Sequence, residues 1–300
     1  MRLPAWLNQH LAALRTLLAL TVLTGLIYPL TILAFAQLPG LKHHADGSLI
    51  TVGDTTVASA VLGQAFTDPA GRPLPQYFQS RPSAAGDGYD PTATAASNLG
   101  PESIVDTLPD PALTAAGASD ANAKLSLLTQ VCARSRAIGE REGVDGGRPY
   151  CTPGGVGAVL GVFRRHGITG AVTRVVSLNE PCPATPFLAT YQGKTVECAT
   201  YGEDYSKAVV TPIRGDAPPT PAVPADAVTA GGSGLDPSIS PAYASLQAPR
   251  IARARGIDVA KVRELIDAHT TGRALAFMGE PSVNVVQLNI DLDRTYPARS

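Results

Sequence analysis

The chain has 300 residues with 24 basic and 25 acidic side chains, a net charge of −1 that leaves no basic field for nucleic acid or an anionic membrane surface. Charged residues make up 16%, against about a quarter in ordinary soluble domains, and 29 glycines and 26 prolines call for many turns and irregular connections. The length allows a sizeable core and one or two domains.

Between Arg15 and Lys42 lie 26 positions without a formal charge, more than the about 20 apolar residues a spanning helix needs. Thr16 to Leu38 is therefore expected to cross a membrane once, and no later stretch stays apolar long enough to cross back. Arg2 and Arg15 precede the span with no acidic residue among them, which predicts a cytoplasmic N-terminus despite Lys42 on the far side. The alternative is a cleaved secretory signal with its small-x-small site at Ala34-Phe35-Ala36, but signal cores run only about 7 to 15 residues. Both readings deliver the C-terminal part to the same side. Within the span, Thr24-Gly25-Leu26-Ile27-Tyr28-Pro29-Leu30 combines a glycine that permits close helix approach with a proline that loosens the hydrogen-bond ladder. Membrane helices tolerate both, yet a lone anchor needs neither, so Gly25, Tyr28 and Pro29 are the candidate helix-interface residues. His43-His44 reads as an interfacial flank.

From Ala45 to Pro101 the chain reads as short strands and turns. Asp46-Gly47 and Gly53-Asp54 flank the short run Ser48 to Val52, and Arg81-Pro82-Ser83 and Tyr89-Asp90-Pro91 read as ordered loops. The character changes between about Asp106 and Asp216. Lys124 to Arg141 predicts a helix with Leu125, Leu128, Cys132 and Ser135 near one face and Gly143 beyond its end. Ala171 to Leu178 predicts a strand, and Tyr191-Gln192-Gly193-Lys194 a turn between Phe187–Thr190 and Thr195–Cys198. The Pro-rich Ala217 to Pro224 closes this block, which behaves like an insertion, as a stiff connector.

All four cysteines, Cys132, Cys151, Cys182 and Cys198, lie in this block, and an even number in an oxidising compartment reads as disulfides. Of three connectivities, Cys132 with Cys151 and Cys182 with Cys198 is favoured, because the turn at Gln192-Gly193 brings Cys198 back toward Cys182. The helix from Lys124 similarly leads into a Gly-rich return to Cys151.

The C-terminal part predicts a helix from Pro241 to Arg255, capped by Ser240, ended by Gly256 and kinked or divided by Pro249. Asp258 caps a second helix, Val259 to Ala268, buried through Val259, Val262, Leu265 and Ile266. Val286, Leu288, Ile290 and Leu292 alternate with Gln287, Asn289, Asp291 and Asp293, the pattern of a half-buried strand.

No catalytic constellation emerges. Gly193-Lys194-Thr195 resembles the end of a phosphate loop, but Leu188 stands where the upstream glycine belongs. Gly231-Gly232-Ser233-Gly234 lacks the closing glycine of a nucleophile elbow, which is Leu235. The five histidines never pair at metalloprotease spacing, and cysteine gaps of 19, 31 and 16 contain no zinc pair. Asp236 before Pro237, and Asp46, Asp54 and Asp87 beside glycines, read as turn residues.

These residues resemble one family, the C subunit (KdpC) of the Kdp-type ATP-driven potassium-transporting ATPase. The resemblance rests on Thr24 to Pro29 with Ala36-Gln37, Gly47-Ser48-Leu49-Ile50, Leu62-Gly63-Gln64-x-Phe66, Tyr77-Phe78-x-x-Arg81-Pro82-Ser83-Ala84, Tyr89-Asp90-Pro91 and Ser97-Asn98-Leu99-Gly100-Pro101. It resumes at Val223-Pro224-Ala225-Asp226-Ala227-Val228-Thr229-Ala230, Gly232 to Pro237, Pro249-Arg250-Ile251-Ala252 and Gly279-Glu280-Pro281-x-Val283-Asn284-Val285. It covers about residues 15–105 and 220–294, departs at Gly231 and Ala58, and leaves the cysteine block as an extension.

The resemblance implies an α+β fold: a cytoplasmic tail (1–15), one transmembrane helix (16–38) and an extracytoplasmic mixed α/β domain (39–300) with an inserted block at about 106–216. It implies a non-catalytic subunit of the cell membrane, assembled with a channel-like A subunit, a phosphorylated B subunit and a small F subunit, which raises the ATP affinity of B as a catalytic chaperone. ATP and potassium ion belong to the complex, and no cofactor is expected to bind this chain tightly. Gly232, Ser233 and Gly234 are the nucleotide-associated candidates by resemblance, although the expected topology puts them across the membrane from cytoplasmic ATP and favours an indirect effect. The rival reading is an exported, disulfide-stabilised binding protein or enzyme with a cleaved signal.

Overall fold

A computed structural model describes residues 4–94 and 100–298; Arg2 and the Ser97-Asn98-Leu99 part of the resemblance lie outside them. The chain divides into two compact units, Met1–Val61 and Leu62–Ser300.

The first unit opens with an unbroken helical run from Ala5 to Ala36, longer than the expected span and with no buried residue. It comprises α1 (Ala5–Val22), a π-helical turn (Leu23–Ile27) and α2 (Tyr28–Ala36). After a tight turn come the short α3 (Lys42–Ala45) and a hairpin of β1 (Leu49–Val52) and β2 (Thr55–Ser59) closed by Gly53-Asp54, with Gly53 at φ 60°. Both turn dipeptides thus fall where the glycines predict.

In the second unit, α4 (Pro111–Ala115) and α5 (Leu127–Glu142) precede a five-stranded sheet of β3 (Val159–His166), β4 (Thr169–Pro181), β5 (Thr190–Tyr191), β6 (Lys194–Ala199) and β7 (Val209–Pro212). Its order is β5-β6-β4-β3-β7, antiparallel except for the β4–β6 pair. Ser126 caps α5 through the Thr129 amide and Gly143 ends it in the left-handed region, so the helix starts later than composition predicted and leaves Leu125 exposed. Gln192-Gly193, both at positive φ, form the two-residue turn between β5 and β6.

The sheet is buried on both faces. Leu160, Val162, Val175 and Val196 pack beneath Phe187 and Ile213 on one side, while Val159, Val176 and Leu178 meet Leu128 of α5 on the other. The opposite end of α5 contributes Ile138 to a second and larger core. The cysteine block is therefore built into the framework rather than appended to it.

That larger core is formed by α6 (Ala225–Val228), β8 (Ser238–Ile239), α7 (Pro241–Arg255), α8 (Val259–Ala268), β9 (Thr270–Thr271), β10 (Ser282–Asn284) and α9 (Val285–Thr295), with Phe78 at its centre. Ser240 and Asp258 cap α7 and α8 as predicted, through the amides of Tyr243 and Ala260. Pro249 does not divide α7, which continues through it. The carbonyl that Pro249 cannot serve is that of Ser245, and both residues are exposed, so water can take the vacant acceptor.

The expected strand over Val286–Leu292 is wrong: this segment is the helix α9. Val285, Leu288, Asn289 and Leu292 also lie at i, i+3, i+4 and i+7, and the Asn284 side chain caps the helix through the Gln287 amide. A strand would expose Asn289, whereas it is 1% exposed.

The disulfides join Cys132 to Cys151 and Cys182 to Cys198, with Cα separations of 5.4 and 5.1 Å, the connectivity favoured from the turns. The first pins α5 to the loop before β3; the second ties the ends of the parallel strands β4 and β6. Each loop is expected to contribute about 3 kcal/mol in the chain-entropy account. Replacing Cys182 and Cys198 by serine should speed proteolysis within the block before the framework is cut. Non-reducing peptide mapping checks the pairing, and a dominant Cys151–Cys182 peptide would sink it.

Candidate functional site

Two sets of residues concentrate the features marked in the sequence, one in each unit. In the first, the π turn ends at Ile27, two residues before Pro29. A regular helix would drive the Pro29 ring into the Gly25 carbonyl and leave that acceptor vacant. Instead the ladder widens, and the Tyr28 amide bonds the Leu23 carbonyl five residues back. Thr24 and Thr31 donate their hydroxyls to the carbonyls of Leu20 and Ile27, each at 2.7 Å, keeping polar groups paired without water.

Among the described residues of the first unit nothing requires glycine at position 25. A Cβ there would meet only Thr21 Cγ2, at 4.0 Å. Gly25, Tyr28 and Pro29 are thus brought together on a segment that buries none of its residues.

In the second unit, the loop Gly231–Asp236 is clasped by Arg81–Tyr89. Arg81 Nη1 meets Asp236 Oδ2 at 2.9 Å and donates to the carbonyls of Thr229 and Ala230. Ser83 Oγ donates to the Gly234 carbonyl at 2.5 Å and accepts from the Tyr89 amide at 2.8 Å. The Tyr89 hydroxyl donates to the Arg81 carbonyl. Two glycines make the approach possible: a Cβ on Gly63 would lie 2.2 Å from the Tyr89 ring, and Gly234 sits at φ 72° with Ala85 against it. Asp236 is a turn residue as predicted, accepting from Ser238, but it also anchors Arg81.

Within Gly232-Ser233-Gly234 the Gly234 carbonyl is held by the clasp, and two further groups bond inside the loop itself. Ser233 Oγ accepts from the Leu235 amide, and the Gly234 amide donates to the Gly231 carbonyl. No helix begins at the loop; α7 starts at Pro241. A phosphate cradle draws on amides converging at a helix N-terminus or on an available cation; this loop opens no helix, and Arg81 is already paired with Asp236. Gly193 belongs to a hairpin turn and Lys194 opens β6. Among the described residues no three His, Cys, Asp or Glu side chains are grouped to hold a metal.

Burial pushes the Tyr89 phenol up to about 12. Its stabilising contribution is therefore complete below the ordinary tyrosine value of 10.0 and is lost as pH rises through about 12. Tyr89→Phe is expected to cost about 1 kcal/mol at neutral pH through the lost hydrogen bond, with the deficit shrinking as the wild type weakens above about pH 10. Unfolding midpoints of the detergent-solubilised chain across that range check it; a deficit that grows with pH would refute it.

The sequence reading overlooked a set of polar straps around Pro75–Gln79. Asn289 of α9 receives the Phe78 amide and donates to the Phe78 carbonyl, both at 2.9 Å, and Gln247 of α7 does the same for Gln79 at 2.7 and 3.1 Å. Arg250 donates to the carbonyls of Pro75 and Tyr77, and Arg255 to that of Gln76. Arg250 is paired in turn with Glu142 of α5, whose side chain is wholly buried. The only signal for these residues was their place inside otherwise apolar helical faces.

A family model described as K+-transporting ATPase, c chain (KdpC), matches residues 10–109 and 196–294. Three relatives, each a potassium-transporting ATPase KdpC subunit, align almost end to end. That of Kineococcus radiotolerans is 33% identical over 97% of this chain and 96% of its own length. The Beijerinckia indica protein is 33% identical over 96% and 95%, and the Mycobacterium tuberculosis protein 32% over 96% and 98%. These alignments run through the block that the family model leaves unmatched, so the extension is shared by relatives of this length.

Proposed function

The chain belongs to the KdpC family, the c chains of the K+-transporting ATPase, and from that membership we propose that it acts as a non-catalytic, single-span assembly subunit whose helix docks through Gly25, Tyr28 and Pro29. The observation that carries this is the open space at Gly25, in the middle of a π turn on a helix with no buried residue. Glycine and a widened ladder both carry a cost in a lone anchor, and a closely packed neighbouring helix uses both.

The neighbours are the channel-like A subunit and the B subunit that hydrolyses ATP, with the small F subunit; potassium and ATP are handled by them. The N-terminus is cytoplasmic and the second unit extracytoplasmic, supported by Arg15 and the uncharged run that follows. In that topology any gain in ATP affinity on the B subunit is transmitted through assembly and not through Gly232–Gly234, which lie across the membrane from cytoplasmic ATP. The four cysteines then lie where disulfides form, and free thiols in the mapped peptides would count against the orientation.

Gly25→Leu is expected to leave membrane insertion intact, since leucine favours the bilayer, but to reduce recovery of the complex in mild detergent about tenfold, with Gly25→Ala milder. Co-purification of multi-span partners with tagged wild type and variants reads this out. Equal recovery from Gly25→Leu and wild type would refute docking at this position.

A further inference from the structure

The connection between β9 and β10 presents three large apolar side chains to solvent. Leu275 is 77% exposed, Phe277 72% and Met278 52%. These strands are antiparallel neighbours in one sheet, so the loop is a long hairpin on a fixed base. Its tip is closed on itself: Ala274 and Met278 exchange amide-to-carbonyl bonds at 2.9 and 2.8 Å, and the Ala276 amide donates to the Arg273 carbonyl. Leu275 and Ala276 both adopt left-handed backbone, at φ 52° and 67°, which non-glycine residues take only at a cost. The flanking charges, Arg273 and Glu280, pair with each other.

We propose that this tip is a preformed apolar plug that seats in an uncharged pocket on a multi-span partner subunit of the same complex. The proposal rests on the assembly reading above. A bilayer surface asks for no fixed shape and rewards unpaired cationic flanks, whereas this tip is closed by its own hydrogen bonds and its flanking charges are paired with each other. A second copy of the chain is a poor occupant on area. Three side chains bury a few hundred Å² at most, well below the about 800 Å² per partner of an interface that must hold by itself. A small, rigid, aromatic-bearing plug suits a partner already tethered by other contacts, where ordering costs little and a single pocket supplies a hot spot.

The test places the photo-reactive p-benzoylphenylalanine at Phe277 in the full-length chain, irradiates the purified complex and identifies adducts by mass spectrometry. An adduct to a multi-span subunit of the ATPase, absent when the probe replaces exposed Asp204, is the expected result. Adducts confined to lipid or to a second copy, or none from a complex that still co-purifies, would overturn the plug and leave the assembly reading standing. A chain that purifies without any multi-span partner would overturn both. As a second arm, joint Phe277→Ser and Met278→Ser should weaken retention of the complex about tenfold or more while the chain's own circular dichroism is unchanged. Unchanged retention would overturn the proposal as well.

Discussion

Glu142→Ala is expected to destabilise the second unit by about 3–5 kcal/mol, the range for removing one partner of a buried ion pair. The Glu142 carboxylate is sealed from solvent and receives Arg141 Nε at 2.7 Å and Arg250 Nε at 3.0 Å. The Arg250 side chain is itself only 8% exposed, and burial already pulls its guanidinium below the ordinary arginine value, against the opposing pull of Glu142. Alanine at 142 leaves that charge buried beside Arg141 with no counter-ion. It would also free the guanidinium that holds the carbonyls of Pro75 and Tyr77. Adding Arg250→Met to Glu142→Ala should recover part of the loss, because the unpaired charge leaves with the arginine. A double-mutant cycle on the unfolding of the full chain in detergent reads the coupling. Additive losses would show that the pair contributes little beyond its separate packing.

Asn289→Leu is the second large effect, about 2–5 kcal/mol. It keeps the branched outline in a somewhat bulkier side chain but strands the amide and the carbonyl of Phe78, each costing about 1–3 kcal/mol when buried and unpaired. Phe78 is 0% and Asn289 1% exposed, so water cannot replace the lost partner without opening the core. Amide hydrogen exchange offers a local readout: the Phe78 amide should lose protection far more than amides in the five-stranded sheet. Unchanged protection would mean the backbone finds another acceptor. Asn289→Asp retains an acceptor for the Phe78 amide but loses the donor and buries a carboxylate, so it is not expected to rescue.

How much of this was legible in the sequence depends on whether the cause was local. The caps at Ser240 and Asp258, the turn at Gln192-Gly193 and the end of α5 at Gly143 are satisfied within a few residues, and there side-chain chemistry and backbone geometry agree. The helix α9 was misread because its apolar residues satisfy a period of two and a period of 3.6 at once. What decides between them is Asn289, whose partner is Phe78, 211 positions away. Glu142 and Arg250 are invisible for the same reason: a charged residue on a helix reads as a solvated face until another element covers it. The uncharged run before Lys42 announced the long helix, but its π turn emerges only from the clash that Pro29 would otherwise make. The clasp was half legible, since Arg81-Pro82-Ser83 and Asp236-Pro237 were recognised as turns and not as each other's partners.

The straps on Phe78 and Gln79 also constrain the order in which the chain can become native. Their partners lie 211 and 168 positions downstream, and ribosomes add about 5–20 residues per second. Phe78 therefore waits on the order of 10–40 s after its own synthesis before Asn289 exists. Until α7 is made the segment from Pro75 to Gln79 has neither its guanidinium groups nor its side-chain amide to occupy its backbone, and the Asn289 amide arrives later still. The five-stranded sheet and both disulfides are synthesised inside this window, so they can close first and deliver α5 to its place. α7 and α9 then dock last, and each shuts on an irregular segment that has stayed open to chaperones or proteases for most of the time the chain takes to make.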